Sequence, residues 1–293
     1  MTLATLDTPI THHPFQFQVG PLPLTGFGIA VLLAFVIAQV VSERELARRH
    51  RDVEAAAVGD VLMAALIGTL VGGKLYYMTF ITHSVRDLWS RSGFVFWGGF
   101  IGAVILCAIT IRWKKLSFVR FADVGGIAIA AGYSVGRTGC WAVGDDYGKP
   151  YSGPLAVAFP QGSPPSTAGI MAQEFHVQVP PGTPFNLVLS VYPTQLIEVV
   201  LGFAMFLILW RLRDHDHAEG WLFGVYCVVA GIERFIIEFF RAKDDRFGFP
   251  FGLSMAQMIA LAIVVVGAGI MYWRSTVRAP GEGIYPVGEA ATA

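Results

Sequence analysis

Seven runs of mostly apolar residues, at 22–41, 60–80, 94–111, 121–143, 192–210, 221–240 and 253–273, alternate with polar connections along a chain of 293 residues. An α-helix needs about 20 apolar residues to cross the hydrocarbon of a bilayer. The pattern therefore predicts an all-α integral membrane protein of about seven transmembrane helices, and no internal repeat is evident. The longest connection, residues 144–191, carries Pro-Gly-rich stretches such as Pro160-Gln161-Gly162-Ser163-Pro164-Pro165 and Pro180-Pro181-Gly182-Thr183-Pro184. It is expected to form a small cap with an extended segment at Leu155-Ala156-Val157-Ala158-Phe159. Residues 1–275 thus read as one membrane domain, and residues 276–293, which have no periodic pattern, as a disordered tail.

Basic residues orient the spans. Arg44, Arg48, Arg49 and Arg51 follow the first run, Arg112, Lys114, Lys115 and Arg120 lie between the third and fourth, Arg211 and Arg213 follow the fifth, and Arg274 and Arg278 follow the seventh. Arg86 and Arg91, then Lys149, then Arg241, Lys243 and Arg246 mark the alternate side more sparsely. This bias predicts an outer N-terminus, a cytoplasmic C-terminus and an outer, periplasmic position for the 144–191 cap.

Composition agrees with the pattern. The chain is 54% hydrophobic and 14% charged, with a mean hydropathy of +0.57, which excludes an ordinary soluble domain. The formal net charge of zero gives no indication of a nucleic-acid partner. Cys107, Cys140 and Cys227 fall in or beside apolar runs and form neither a disulfide framework nor a metal-ligand spacing, so no metal and no cofactor are implied. The first 18 residues lack a basic stretch and a long apolar core, so the first span is expected to serve as an uncleaved signal.

The candidate chemistry sits where the fourth run ends, in Gly136-Arg137-Thr138-Gly139-Cys140-Trp141-Ala142-Val143-Gly144-Asp145-Asp146-Tyr147-Gly148-Lys149-Pro150. A cation near the end of a membrane helix needs a partner or a water-filled cavity, and glycines let backbone approach a ligand. Other spans carry polar groups as well: Lys74 after Gly72-Gly73, Trp97 followed by Gly98 and Gly99, Gln195 and Glu198 three residues apart, and Arg234, Glu238 and Arg241 at a spacing that places them on one stripe of a helix. Glu233 lies about 100° round the helix, off that stripe. Each has a plain structural account: a snorkelling Lys, a small-residue packing groove with an interfacial indole, an intramembrane ion pair. Glu238 alone does not neutralise Arg137, Arg234, Arg241 and Lys74 if they converge, and a surplus of cations facing one cavity calls for an anion, which in a membrane means a phospholipid phosphate.

In this order the motifs Phe96-Trp97-Gly98-Gly99-Phe100-Ile101-Gly102, Gly136-Arg137-Thr138-Gly139 with Gly144-Asp145-Asp146-Tyr147-Gly148, Tyr192-Pro193-Thr194-Gln195-Leu196-Ile197-Glu198 and Arg234-Phe235-Ile236-Ile237-Glu238-Phe239-Phe240-Arg241 resemble the prolipoprotein diacylglyceryl transferase family of bacterial inner membranes. The resemblance covers residues 22–273. It implies transfer of the diacylglyceryl group of phosphatidylglycerol to the lipobox cysteine of a preprolipoprotein signal peptide, making a thioether and releasing glycerol phosphate. It also implies that Arg137 and Arg234 bind the lipid phosphate, Glu238 orients Arg234, and Gln195, Glu198 and Arg241 shape the polar pocket, with Gly136, Gly139, Gly144, Gly148, Gly98 and Gly99 admitting the substrates.

Three positions depart from the family pattern: Trp97 stands where a histidine is usual, Phe27 where a tyrosine is usual, and Cys140 where an asparagine is usual. The sequence is similar in these respects to a branch of the family with an aromatic residue in place of that histidine. None of the seven histidines lies in an apolar run. A thiol of pKa about 8.5 beside clustered cations has less need of a strong base, and Asp145, Asp146 or Tyr147 is placed to act as one. Two other readings remain open: a related transferase with another acceptor, and a non-catalytic phospholipid-binding protein.

Overall fold

The apolar runs fold as helices because a bilayer leaves no partner for a free backbone N–H or C=O. The structure is a computed structural model that describes residues 10–19, 22–86, 95–242 and 252–275. Its long helices are α1 (Gly26–Arg48), α2 (Asp52–Tyr76), α3 (Phe96–Trp113) and α4 (Phe118–Val143), then, after the short α5 (Ala168–Gln173), α6 (Thr194–Leu212), α7 (Trp221–Ile237) and α8 (Met255–Arg274). A π-helical turn, Tyr77–Thr82, prolongs α2. Among the described residues six of these helices are long and apolar enough to cross a membrane; α7, with 17 residues, is the seventh apolar helix. Large apolar side chains point outward along them, among them Leu32 (66% exposed), Val200 (67%) and Val265 (70%). Such a surface belongs in lipid rather than water, and the protein is an all-α integral membrane protein.

Several helix ends differ from those expected. α1 starts at Gly26, because Leu22–Thr25 pairs antiparallel with Gln16–Val19. Arg44 and Arg48 then lie inside α1 rather than after it. α7 stops at Ile237, three residues short of the expected end. Lys243, Arg246, Arg91 and the 276–293 tail lie outside the described residues.

The described residues form two units, one of residues 10–38 and 126–275, the other of residues 39–125. In the second, α2 and α3 meet through glycines: a Cβ on Gly68, Gly72, Gly98 or Gly102 would collide with the backbone of the facing helix. Small residues of this kind let membrane helices approach closely. Leu46, Val58 and Val124 form a small buried core there, and the polar ends are tied by Lys114–Asp60 at 2.6 Å and by the Arg120–Glu54 pair.

In the first unit α7 packs on α8, where Gly224, Gly231 and Gly267 leave no room for a Cβ. Ser254 caps α8 by accepting from the Gln257 N–H at 3.1 Å, and Gln257 Oε1 accepts from the Ser254 N–H at 3.0 Å. Residues 144–191 have their own core of Tyr147, Val157, Phe159, Ala168, Met171, Leu189 and Val191. Val157–Ala158 forms a strand within the expected extended segment, flanked by Ile10–Thr11 (parallel) and Ser190–Val191 (antiparallel). The buried Ser166 hydroxyl donates to the Leu189 carbonyl at 2.8 Å and accepts from the Phe159 N–H at 3.0 Å, so both polar functions of the hydroxyl are used inside that core.

Candidate functional site

The first unit gathers polar groups from four segments at the end of α4. Arg137 lies two turns before that end. Beyond it Gly144, at φ +69°, turns the chain, and a Cβ there would lie 2.9 Å from the Phe159 ring. Asp146 also takes a left-handed backbone, φ +57°, which Asp tolerates better than most residues. The loop is pinned by the start of α6: Thr194 Oγ1 donates to the Asp146 carbonyl at 2.7 Å, and Gln195 Nε2 to the Asp145 carbonyl at 2.6 Å.

Asp146 sits between two arginines. Arg137 Nη1 donates to its Oδ2 at 2.8 Å and Arg241 Nη2 to its Oδ1 at 2.7 Å. Burial would raise the Asp146 pKa, but the guanidiniums of Arg241 and Arg137 outweigh it and hold the carboxyl at about 2. Arg137 also pairs with Glu198, and its Nη1 lies 3.4 Å from Cys140 Sγ. From Arg241 the network continues to Glu238 at 3.9 Å, and from Glu238 to Arg234 at 2.6 Å. From Glu198 it continues to the Tyr133 hydroxyl and on to Glu233, each step 3.1 Å.

The placement of Arg241 corrects the expected stripe. With α7 ended, Arg241 is set by an antiparallel bridge to Gly148. A Cβ on Gly148 would lie 2.6 Å from Tyr192 Cβ and also against the Phe240 carbonyl, so this glycine lets three segments meet. The expected surplus of cations is also corrected: Arg137, Arg234 and Arg241 are interleaved with Asp146, Glu198 and Glu238, with Glu233 beyond. What stays unsatisfied is finer. Buried Arg137 Nε and Arg234 Nη1 have no hydrogen-bond partner among the described residues.

Asp145 differs from its neighbour. Its Oδ1 accepts from the Asp146 N–H at 2.6 Å. Burial first and the Asp146 charge second raise its pKa, and the backbone N–H and the arginines offset this only in part. It lines a cavity of about 330 Å³ with Pro14, Gln16, Thr25, Phe27, Val143, Gln161 and Ser163. Tyr147 points elsewhere: its hydroxyl donates to the Pro164 carbonyl at 2.9 Å, its ring stacks on Phe159, and burial raises its pKa. A larger open hollow of about 480 Å³, at Leu207, Trp210, Arg211, Arg213 and Asp214, contains none of the network.

The remaining glycines divide. A Cβ on Gly139 would lie 2.8 Å from Ala30 of α1, a helix contact, whereas one on Gly136 would meet nothing within 4 Å. Lys74, Trp97, Gly98 and Gly99 belong to the second unit, where Lys74 is buried, Trp97 is 44% exposed, and Gly98 and Gly99 pack against α2. Sequence reasoning missed Tyr133 and left Glu233 without a role. Tyr133 lies four residues before Arg137, on the same helix face.

Apolar helices that gather alternating guanidiniums and carboxylates at one end, with guanidinium N–H groups left without a partner among the described residues, define a membrane protein with an intramembrane polar network. Comparison with known proteins narrows this class. The sequence profile described as prolipoprotein diacylglyceryl transferase matches residues 14–273, and the chain belongs to that family. It is a membrane transferase. Proteins named phosphatidylglycerol–prolipoprotein diacylglyceryl transferase are similar to it along nearly their whole length. That of Paraburkholderia xenovorans (strain LB400) is 29% identical over 294 residues, 92% of this chain and 96% of that protein. That of Chlorobaculum tepidum is 27% identical over 285 residues, 90% and 91%, and that of Burkholderia mallei (strain SAVP1) 28% over 281 residues, 89% and 94%.

Proposed function

We propose that the chain transfers the diacylglyceryl group of phosphatidylglycerol to the lipobox cysteine of prolipoproteins. The observation that carries this reading is the pair of orphaned buried donors, Arg137 Nε and Arg234 Nη1, on a family member whose relatives are named for that reaction. Phosphate oxygens would accept from these two groups. The acceptor sulfur attacks the glycerol carbon esterified to the phosphate, the C–O bond breaks, a thioether forms and glycerol phosphate leaves. Arginines that meet the charge developing on the leaving phosphate supply the main electrostatic stabilisation.

Asp145 is the base this reading favours. Asp146 is neutralised by two arginines and Tyr147 is committed to Pro164, whereas Asp145 faces a cavity with a raised affinity for a proton. Phe27 and Gln16 in that cavity would contact the acceptor peptide, and Cys140, Gln195, Glu198, Glu238 and Arg241 hold the arginines and the loop in place. Gly136, open to space, admits lipid; Gly139, Gly144 and Gly148 serve the packing around it. Lys74, Trp97, Gly98 and Gly99 are retained as lipid contacts on the strength of the family motif. The enzyme would lie in a bacterial cytoplasmic membrane with seven spans, and the positive-residue bias supports an outer N-terminus, residues 144–191 as a periplasmic cap and residues 276–293 as a cytoplasmic tail.

Arg137→Ala and Arg234→Ala should each lower transfer by about 10²–10³-fold, the loss typical of one transition-state donor. Full activity in both variants, measured on purified protein, would remove the phosphate-binding assignment.

A further inference from the structure

The Tyr133 hydroxyl has 3.1 Å contacts to two carboxylates, Glu198 Oε1 and Glu233 Oε1. A phenol has a single hydrogen to donate. If both carboxyls were ionised, one contact would be oxygen against oxygen with no hydrogen between them, in an interior where an unsatisfied polar contact is costly. Both contacts become hydrogen bonds when the pair of carboxyls holds one proton: the neutral carboxyl donates to the Tyr133 oxygen, and Tyr133 donates to the ionised one. Glu198 already accepts from Arg137 and lies 3.8 Å from Arg241, so the ionised form belongs there. The proton then belongs on Glu233, which is 8% exposed.

The charged and titratable groups facing Glu233 are Tyr133 and Arg137 from α4, Glu198 from α6, and Arg234 and Tyr226 from its own helix. From α8, packed alongside, Met255 to Met271 contribute no titratable side chain.

We infer that Glu233 and Tyr133 form with Glu198 a proton-sharing triad that lets Arg137 exchange a carboxylate for a phosphate. This rests on the phosphate-binding reading above. A lipid phosphate that engages Arg137 draws the guanidinium from Glu198 and would leave that buried carboxylate with only the Tyr133 hydrogen bond and the 3.8 Å approach of Arg241. The Glu233 O–H then passes its proton to Tyr133, and Tyr133 passes its own to Glu198. One O–H bond breaks and one forms at each step, and no other reactant is needed. The final state mirrors the first: neutral Glu198 donates to Tyr133, and Tyr133 donates to ionised Glu233. Glu233 and Tyr133 are positioning residues acting through Glu198; neither touches the reacting atoms.

The test is infrared difference spectroscopy on the full-length protein in detergent, with and without added phosphatidylglycerol, beside transfer kinetics from pH 5 to 10. The lipid-free wild type is expected to show the carbonyl stretch of a buried neutral carboxylic acid. That band should shift when lipid binds and be missing in Glu233→Gln. In the kinetics, Glu233→Gln and Tyr133→Phe should each lose at least about tenfold in kcat/KM, because an uncompensated buried carboxylate opposes the exchange. In the wild type, alkali that removes the shared proton should lower kcat/KM; both variants should lack that decline, and Glu233→Asp should restore part of the lost rate. A lipid-free wild type with no such band overturns the inference, whether or not the variants fold. So does Glu233→Gln with unchanged rate and pH profile. A band that shifts with lipid in a protein that transfers nothing would leave the triad standing and remove the proposed reaction instead.

Discussion

Asp145 and Asp146 are neighbours with opposite electrostatics. Asp146 is held by Arg241 and Arg137 at about 2 in spite of its partial burial, whereas Asp145, half-buried and beside that charge, holds its proton more tightly than a free carboxyl. Asp145 as base predicts that kcat/KM falls as pH drops through a pKa above the usual carboxylate range. In Asp145→Asn that acid limb should disappear along with most of the rate, about 10²–10⁴-fold. An unchanged limb in a pH-rate profile would move the base elsewhere. For Asp146 the folded pKa lies below the unfolded value of about 3.9, so its stabilisation is present above pH about 4 and is lost as pH falls towards 2. After allowance for its partial exposure this amounts to about 1 kcal/mol. Acid unfolding followed by tryptophan fluorescence should show this loss in the wild type and its absence in Asp146→Asn. Arg137, the two aspartates and Glu198 were legible as isolated polar groups in apolar surroundings. The pairing of Tyr133 with Glu233 was not, since 100 residues separate them and only the packing of α4 against α6 and α7 joins them.

Among elements, the helices were legible and their ends were not. Apolar length fixed where α2, α3 and α8 run, but Leu22–Thr25 is as apolar as the start of a span and is taken by its pairing with Gln16–Val19. α7 offers Phe239 and Phe240 as helical continuation, yet the chain turns so that Arg241 bridges to Gly148 and the Lys149 N–H donates to the Phe240 carbonyl at 2.8 Å. That turn delivers Arg241 to Asp146, which a straight helix predicted by spacing would not do. Gly148→Ala should therefore cost about 1–3 kcal/mol, since the new methyl meets backbone at Phe240 that cannot yield. Thermal unfolding in detergent measures this, and a variant as stable as the wild type would show that the segments meet more loosely than the structure has them.

For the whole molecule, hydrophobicity made the membrane class plain, and the ordered motifs made the family legible. Counting charges, in contrast, misled. A surplus of cations was expected because Arg137, Arg234, Arg241 and Lys74 were set against Glu238 alone, whereas Lys74 belongs to the second unit and folding brings Asp146 and Glu198 from two other segments to meet the arginines. The polar cluster is thus a balanced network in which, among the described residues, Arg137 Nε and Arg234 Nη1 are donors without a hydrogen-bond partner. The most direct test of the central claim supplies purified protein with phosphatidylglycerol labelled in its acyl chains, together with a synthetic lipobox peptide, and follows both products by mass spectrometry. The account predicts a labelled diacylglyceryl thioether on the peptide cysteine and one glycerol phosphate released for each thioether formed. Label that stays in phospholipid, or that passes to an acceptor other than the cysteine sulfur, would contradict it.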